Sequence, residues 1–250
     1  MSGSVEVLVA DAAGREDASV PVDAARDDAT RLSGPETAEY SFSRRIVCLS
    51  DPGGAAAERY RALQTRLFAS HVRDGRRGLA LCSATPGTGC TTVAVNLAIA
   101  CAQAGINTLL VDANLQRPTV DSFIRPAPTA SGLAQMLTAE PEQQTDNIHR
   151  EVRPNLSVLF AGHSIPQAFE PLATRRFKKI IDECMRGFEL TIVDTPALRR
   201  NSEARHIAMA VRYALVVARR DVTRLADVKA VIADLSTDRM QLVGSVLTAF

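Results

Sequence analysis

The sequence predicts an α/β fold of the three-layer αβα type, in which a mostly parallel sheet carries helices on both faces. From residue 79 onward, short apolar runs alternate with longer segments of helical periodicity. The apolar runs lack the alternation of a half-exposed strand, which is typical of parallel strands buried on both faces. A Gly-rich turn over residues 85–89 follows the first of these runs. With 250 residues, the chain is long enough for one such domain and an additional tail.

The elements are predicted in chain order from apolar runs, helical periodicity and turn residues. The predicted strands cover residues 45–49, 79–83, 108–112, 156–160, 190–194, 213–217 and 242–247. The predicted helices cover residues 55–69, 91–104, 132–137, 171–186, 202–211 and 223–235. Because most strands are followed by a helix, the sheet is predicted to be mainly parallel.

Residues 1–43 differ in composition from the rest of the chain. They are rich in Ala, Asp, Ser, Gly and Arg, nearly free of large apolar residues, and acidic. Such a segment lacks the apolar surface that a core needs, so we predict a disordered N-terminal tail over residues 1–43 and a folded domain over residues 44–250. Two interpretations of the tail stay open: an inert leader and a tether for a partner.

Charge and cysteine content exclude several classes of function. The formal net charge is +1, which favours neither nucleic acid nor an anionic membrane as a partner. No apolar run approaches the roughly 18 residues of a membrane span, and the N-terminus lacks the pattern of a secretory signal. The five cysteines form no CxxC pair, so neither a disulfide framework nor a zinc site is predicted. We therefore expect a cytoplasmic protein.

Residues 79–92 have the layout of a phosphate-binding P-loop. An apolar strand is followed by a turn containing Gly87 and Gly89 and then by the start of a helix. In such a loop, successive backbone N–H groups and the helix N-terminus bind phosphate. Thr91 is placed to ligate Mg²⁺ through its hydroxyl. Cys90 stands where the pattern requires lysine, and the loss of that charge-assisted hydrogen bond weakens phosphate binding by roughly 1.5–3 kcal/mol.

Two carboxylates end predicted strands. Asp112 follows one apolar run, and Asp194 follows another. Ligands of parallel sheets bind at the carboxyl ends of strands, and Mg²⁺ prefers oxygen ligands. A single Asp in this position usually only caps the following turn. Two of them behind a P-loop favour a metal-assisted phosphate site.

These motifs together resemble those of the bacterial tyrosine kinases of exopolysaccharide synthesis, which are relatives of the ParA/MinD-type P-loop ATPases. The similarity covers residues 45–248 and implies a P-loop NTPase-like fold. It is carried by an Arg-rich helix motif at residues 58–65, a Walker A segment at 83–92, Asn96-Leu97-Ala98, an acidic motif at 109–118, Gly132-Leu133, Phe160-Ala161-Gly162 and Val193-Asp194-Thr195-Pro196.

The resemblance also implies roles for individual residues. ATP or ADP would be bound by the loop residues Pro86, Gly87, Thr88, Gly89, Cys90, Thr91 and Thr92. Mg²⁺ would be bound by Thr91, Asp112 and Asp194, and the catalytic positions would be Asp112, Asn114 and Asp194. An interface between copies of the chain would use Glu58, Arg61 and Gln64.

The chain departs from the family pattern at several of these positions, which indicates a degenerate member. Cys90 replaces the Walker A lysine, Asn114 replaces the second aspartate of the acidic motif, and Gln116 replaces its arginine. Further departures are Gln64 for the last arginine of the helix motif, Thr248 for a nucleotide-contacting asparagine, and Thr85 for the additional lysine of ParA-type loops. The sequence also has no tyrosine cluster, since its tyrosines are Tyr40, Tyr60 and Tyr213.

Cys90 itself allows two interpretations. A cysteine at a helix N-terminus can have a lowered pKa and act as a redox-sensitive thiol. Alternatively, it is a small residue that replaced lysine once catalysis was dispensable. No basic residue adjoins Cys90 in the sequence, which favours the second interpretation.

Three functions are compatible with these observations. The preferred one is a pseudokinase that regulates biosynthesis and export of an exopolysaccharide, such as capsule or holdfast. It would act beside a membrane chain-length co-polymerase that holds it at the inner membrane. The second is an active ATP-dependent autokinase in which Arg117, Arg219 or Arg220 supplies the missing charge. The third is a positioning ATPase of the MinD or ParA type, although no basic amphipathic helix follows the last predicted strand.

Overall fold

The computed structural model describes residues 40–126, 131–139, 146–165, 168–199 and 201–249, together with the backbone of three short strands nearer the N-terminus. The predicted disordered tail over residues 1–43 therefore falls largely outside the described residues, and its disorder stays a prediction there. Its last part is an exception, because Tyr40–Phe42 forms a strand that pairs with Ile124–Pro126, so the folded domain begins before residue 44. Nearer the N-terminus, the strands Gly3–Ser4 and Asp23–Ala24 pair with each other, and Leu8–Asp11 joins the main sheet.

The secondary structure alternates between strands and helices from Gly78 onward. The strands are β1 (Gly3–Ser4), β2 (Leu8–Asp11), β3 (Asp23–Ala24), β4 (Tyr40–Phe42), β5 (Gly78–Ser83), β6 (Thr108–Asp112), β7 (Ile124–Pro126), β8 (His149–Arg153), β9 (Leu156–Leu159), β10 (Leu190–Asp194), β11 (Tyr213–Arg219) and β12 (Gln241–Thr248). The helices are α1 (Val47–Ser50), α2 (Ala55–Leu67), α3 (Cys90–Gln103), α4 (Leu133–Thr138), α5 (Phe169–Leu172), α6 (Arg175–Gly187), α7 (Ser202–Val211) and α8 (Leu225–Thr237). A π-helical turn, Phe68–Val72, extends α2, and a 3₁₀ turn covers Val120–Ser122.

The main sheet has eight strands in the order β2-β12-β11-β5-β10-β6-β9-β8. All neighbours from β12 to β9 are parallel, whereas the edge strands β2 and β8 are antiparallel to their neighbours. A separate antiparallel pair is formed by β4 and β7. The P-loop strand β5 lies at the centre of the sheet, between β11 and β10, and the predicted mostly parallel topology is confirmed.

Two hydrophobic cores, one on each face of the sheet, explain why the strands show no polar alternation. Along β5, Leu79 and Leu81 pack with α1, α2 and α3, whereas Ala80 and Cys82 pack with the later helices on the other face. Every residue of β5, β6 and β10 is buried. Strand side chains point alternately to the two faces, so both sets must be apolar. The predicted three-layer architecture is confirmed.

The prediction of a strand over residues 45–49 is wrong, because this segment forms the single helical turn α1. The turn is held by the side chain of Asn96 on α3, which is fully buried. The Asn96 Oδ1 accepts a hydrogen bond from the Cys48 N–H at 3.2 Å, and its Nδ2 donates to the Arg45 carbonyl at 3.2 Å. A partner so distant in sequence overrides the strand preference of the apolar run.

The helix predicted over residues 171–186 is divided in two. The short α5 contains Pro171 and ends at Leu172, and α6 begins after Thr174. The Thr174 hydroxyl oxygen accepts a hydrogen bond from the Phe177 N–H at 3.2 Å, which makes Thr174 an N-cap. The strands β4, β7 and β8 were not predicted. They are short, and β8 has the burial pattern of an edge strand, with a single buried residue.

The five cysteines are all free thiols. Among the described residues, no helix combines the length and hydropathy needed to cross a membrane.

We expect Asn96→Ala to lower the free energy of unfolding by about 1–3 kcal/mol, because the Cys48 N–H and the Arg45 carbonyl lose their partner inside the core. Urea unfolding measures this change, provided that the variant and the wild type have the same m-value, the slope of the unfolding free energy against urea concentration. Gln103→Ala is the matched control, because its side chain is exposed and, among the described residues, bonds the Cys48 carbonyl alone, at 3.2 Å. We expect its effect to stay below about 1 kcal/mol, since water can replace an exposed partner. An Asn96→Ala variant as stable as the wild type would contradict this account of α1.

Candidate functional site

The Gly-rich loop joins the central strand β5 to the N-terminus of α3. Gly87 and Gly89 have φ values of 79° and 85°, in the left-handed region where a side chain is strained. Gly89 is the N-cap of α3, and its carbonyl accepts the first helical hydrogen bond, from Val93 at 2.9 Å. The loop thus has the turn geometry expected of a P-loop, with a helix N-terminus behind it.

Cys90 is the first residue of α3, and its side chain reaches back to β5. Its thiol donates a hydrogen bond to the carbonyl of Leu81 on β5, 3.3 Å away. Burial of the thiol, followed by the nearby Asp194 carboxylate, raises the pKa of Cys90 well above its usual value. The lowered pKa considered for a redox-sensitive thiol is therefore wrong, because burial outweighs the helix dipole. The geometry favours Cys90 as a small packing residue.

Asp112 and Asp194 lie side by side at the carboxyl ends of β6 and β10, where they are register partners. Asp194 Oδ2 accepts a hydrogen bond from the Thr91 hydroxyl at 2.6 Å. The Thr91 oxygen also lies 2.9 Å from the hydroxyl oxygen of Thr119. Asp194 Oδ1 is buried and has no hydrogen-bond partner within the part of the chain that the structure describes. The structure therefore brings Thr91, Asp112 and Asp194 to one place, while their roles stay predictions.

The carboxylate of Asp112 is bound by the loop that follows it. Its Oδ1 accepts from the Asn114 N–H at 3.0 Å, and its Oδ2 accepts from the Thr119 and Val120 N–H groups, both at 3.0 Å. The side chain of Asn114 in turn accepts from the Arg117 N–H at 3.3 Å. Both residues thus stabilise a turn, and Asp112 also forms part of the wall of a cavity of about 320 Å³.

Burial acts on both carboxylates. It raises the pKa of Asp112 to about 6, although the three backbone N–H groups oppose the shift. Burial and, second, the neighbouring Asp112 carboxylate raise the pKa of Asp194 to about 7. Two neighbouring carboxyl groups that are both buried resist ionisation, because the charged forms lose hydration and repel each other. A bound cation would reverse this effect.

The residues fit a magnesium ion better than they fit the phosphates of a nucleotide. Mg²⁺ would find the Thr91 hydroxyl and the unpartnered oxygen of Asp194, both hard oxygen ligands. The described residues contain no group of three or more His, Cys, Asp or Glu side chains arranged around a metal position. The helix N-terminus and the glycine turn could donate backbone N–H groups to phosphates, but the lysine that normally binds them is missing. The fit to a nucleotide is thus partial.

Arg219 is the arginine that reaches the loop. Its Nη1 donates to the carbonyl of Gly87 at 3.2 Å. The end of β12 also contacts the loop, because the Thr248 hydroxyl donates to the Thr88 carbonyl at 2.6 Å. The Arg220 N–H donates to the Thr248 carbonyl at 2.7 Å.

Sequence reasoning missed two residues of this region. Thr119 ties Thr91 to the acidic loop, and Glu203 accepts a hydrogen bond from Gln116 Nε2 at 2.7 Å. Glu203 lies in the first turn of α7 and is buried. No local pattern reveals such partners, since Gln116 and Glu203 are far apart in the chain.

The residues predicted to join copies of the chain lie on α2. Glu58 is exposed, and its Oε2 lies 2.7 Å from Arg61 Nη2. Arg61 also donates to the Pro52 carbonyl at 2.9 Å, and Gln64 is half-buried one turn further. Their role in an interface stays a prediction.

Comparison with known proteins places this geometry among P-loop proteins. The family described as AAA domain matches residues 77–235. Tyrosine-protein kinase YwqD from Bacillus subtilis is 26% identical over 206 residues, which span 82% of this chain and 86% of that protein. Succinoglycan biosynthesis transport protein ExoP from Rhizobium meliloti is 30% identical over 176 residues, which span 69% of this chain and 22% of ExoP. The solved kinase domain of Escherichia coli tyrosine kinase ETK superposes with a TM-score of 0.73 at 23% identity, covering 89% of this chain and 84% of that one. It has the same fold.

The raised pKa values predict how stability depends on pH. Asp194 keeps its proton to about pH 7 in the folded state, against 3.8 for the ordinary carboxyl. Between these values the folded state binds more protons, so stability falls as the pH rises. Asp194→Asn removes this penalty and still accepts the Thr91 hydrogen bond. We expect it to raise the free energy of unfolding at pH 8 by about 1–4 kcal/mol.

Urea unfolding of the wild type and Asp194→Asn between pH 5 and pH 8 measures the effect. The exposed Asp234→Asn is the control and should leave the pH dependence unchanged. Parallel pH profiles for the wild type and Asp194→Asn would show that Asp194 is ionised throughout and contradict the prediction.

Proposed function

The chain belongs to the AAA domain family and is a P-loop domain of the bacterial tyrosine-kinase type, and from this premise we propose that it is a pseudokinase regulating exopolysaccharide biosynthesis and export. In this proposal the domain keeps the kinase shape and has lost phosphoryl transfer. The loop then serves mainly to hold a surface that a partner recognises.

The observation that carries the proposal is the orientation of Cys90. At the lysine position of the loop, the side chain is short, neutral and bonded to the Leu81 carbonyl at 3.3 Å. It can neither reach nor neutralise a phosphate beyond the loop. A lysine there contributes to phosphate binding and, more strongly, to stabilising the charge that develops in transfer, at about 10²–10³-fold in rate.

The acidic loop supports the same proposal. Asp112 is saturated by three backbone N–H groups and Asn114 by the Arg117 N–H. Neither side chain is free to accept a proton from an acceptor hydroxyl without opening the turn. Residual binding of ATP or ADP with Mg²⁺ would then depend on the loop amides, Thr91 and Asp194.

The proposed partner is a membrane chain-length co-polymerase whose cytoplasmic part docks on this domain. Two features of the relatives support this. ExoP, named for succinoglycan biosynthesis transport, contains a region similar to this chain within a much longer protein, whereas YwqD is mostly spanned by it. The location at the inner membrane and the self-association through α2 belong to the same proposal.

A second candidate function is an active protein-tyrosine autokinase, and one contact favours it. Arg219 Nη1 lies 3.2 Å from the Gly87 carbonyl, so a guanidinium stands at the loop from which lysine is missing. Arg219 lies at the end of β11, whereas the lysine of a P-loop lies at the start of the following helix. To replace that lysine, the Arg219 guanidinium would have to leave the Gly87 carbonyl and turn toward a phosphate.

Nucleotide affinity separates the two functions. In isothermal titration with Mg·ADP, we expect weak or no binding by the wild type and roughly tenfold to hundredfold tighter binding by Cys90→Lys, since the lysine adds a charge-assisted hydrogen bond. Cys90→Ala is the matched control for loss of the thiol and should behave like the wild type. Micromolar affinity of the wild type together with measurable ADP release from ATP would overturn the pseudokinase.

The autokinase alternative makes its own prediction for Arg219. If Arg219 replaces the lysine, Arg219→Ala should weaken Mg·ADP binding by about tenfold or more, while Arg220→Ala should not. The pseudokinase proposal expects Arg219→Ala to change the affinity less than twofold. The same titration measures both variants, and a large loss confined to Arg219→Ala favours the active kinase.

A further inference from the structure

A second cavity lies at the opposite end of the central strands from the Gly-rich loop. It has a volume of about 480 Å³ and is lined where β5 and β11 begin and where α6 and α7 end. This volume falls within the roughly 300–1,000 Å³ of small-molecule sites. Gly78 and Ser83 are the two ends of β5, so roughly 16 Å of strand separates the cavity from the loop.

Four arginines line this cavity, and two of them have structural roles. Arg77 Nη1 donates to the carbonyl of Arg186 at 3.1 Å, near the end of α6. Arg76 Nη1 donates to the Ser70 carbonyl at 3.0 Å, and its Nη2 lies 3.4 Å from Asp74 Oδ2. These two arginines donate hydrogen bonds to carbonyl groups near the C-terminal ends of helices, as basic side chains commonly do at such positions.

The guanidinium groups of Arg186 and Arg212 are different. Both residues line the cavity and are exposed, and neither side chain has a partner among the residues that the structure describes. The acidic side chains of the lining are already neutralised, Asp74 by Arg76 and Asp182 by Lys178 at 2.5 Å. An excess of positive charge therefore remains at the rim.

The floor of the cavity is apolar and aromatic. Met185 and Val211 pack so closely on Gly78 that a Cβ there would lie 2.5 Å from the Met185 sulfur. The ring of Tyr213 is held edge-on by the buried His71, with centroids 4.8 Å apart, and Arg76 lies 5.7 Å from its centroid. His71 is fixed in turn by donation from Nε2 to the Gly78 carbonyl at 2.9 Å. The Tyr213 ring is thus a rigid surface for stacking.

We propose that this cavity binds a phosphorylated aromatic group, with the ring on the Tyr213 and Met185 floor and the phosphate between Arg186 and Arg212. Two guanidinium groups supply the charge-assisted hydrogen bonds that a phosphate dianion requires. The apolar floor favours a phosphate that is attached to an aromatic ring, because the ring can pack on that floor. Inorganic phosphate has no group that would use it. The site uses none of the P-loop residues and does not depend on the proposed loss of kinase activity.

The probe is phenyl phosphate, titrated against the full chain by ligand-observed NMR. We expect saturable binding that is at least about tenfold tighter than that of inorganic phosphate. Arg186→Gln and Arg212→Gln should each weaken it by about tenfold to a hundredfold, because each removes a charge-assisted contact and keeps most of the stem. Arg175→Gln, an exposed arginine at the other end of α6, is the matched control and should bind as the wild type does.

A P-loop variant separates this site from the loop. Gly87→Asp places a carboxylate in the loop, at a left-handed position where aspartate is less strained than most side chains, and should leave phenyl phosphate binding unchanged. Absence of saturable binding, equal affinity for inorganic phosphate, or full binding by both arginine variants would overturn the proposal. Loss of binding in Gly87→Asp would assign the signal to the loop and overturn it as well.

Discussion

The contact between Asp194 and the Thr91 hydroxyl is the interaction on which the functional end of the domain depends. Parallel register places Asp194 beside Asp112, and burial then makes both carboxyl groups resist ionisation. In a P-loop enzyme, such charges are balanced by a metal ion and by the cations around the phosphates. Here the Thr91 hydroxyl at 2.6 Å and the backbone N–H groups around Asp112 supply part of this balance. Asp194 Oδ1 is left without a hydrogen-bond partner among the described residues.

The central sheet and the meeting of Thr91, Asp112 and Asp194 could be predicted, because strand periodicity and motif order determine them locally. The segment at residues 45–49 could not, because the hydrogen bonds of Asn96 decide its conformation. The roles of Thr119 and Glu203 could not be predicted for the same reason, because their hydrogen-bond partners are distant in the chain. The two interpretations of Cys90 could not be separated by the helix N-terminus alone, because the depth of burial, which raises the pKa of the thiol, is not visible in the sequence.

The two ends of β5 differ in how their charges are arranged. At the loop, cationic side chains are scarce where phosphate chemistry needs them, and Arg219 is bonded to a carbonyl. At the opposite end, Arg186 and Arg212 have no partner among the described residues and stand over an aromatic floor. A domain that no longer transfers phosphate and instead recognises a phosphorylated ring would unite the two observations.

The most direct test of the central claim is phosphoryl transfer by the full chain itself. Incubation with radiolabelled Mg·ATP, followed by mass spectrometry of the tyrosine-containing peptides, reports any transfer. The account predicts no label on Tyr40, Tyr60 or Tyr213, and no labelled phosphate released above the uncatalysed rate. Phosphotyrosine that forms in the wild type and disappears in Asp194→Ala would show that the loop is catalytic despite Cys90 and would contradict the account.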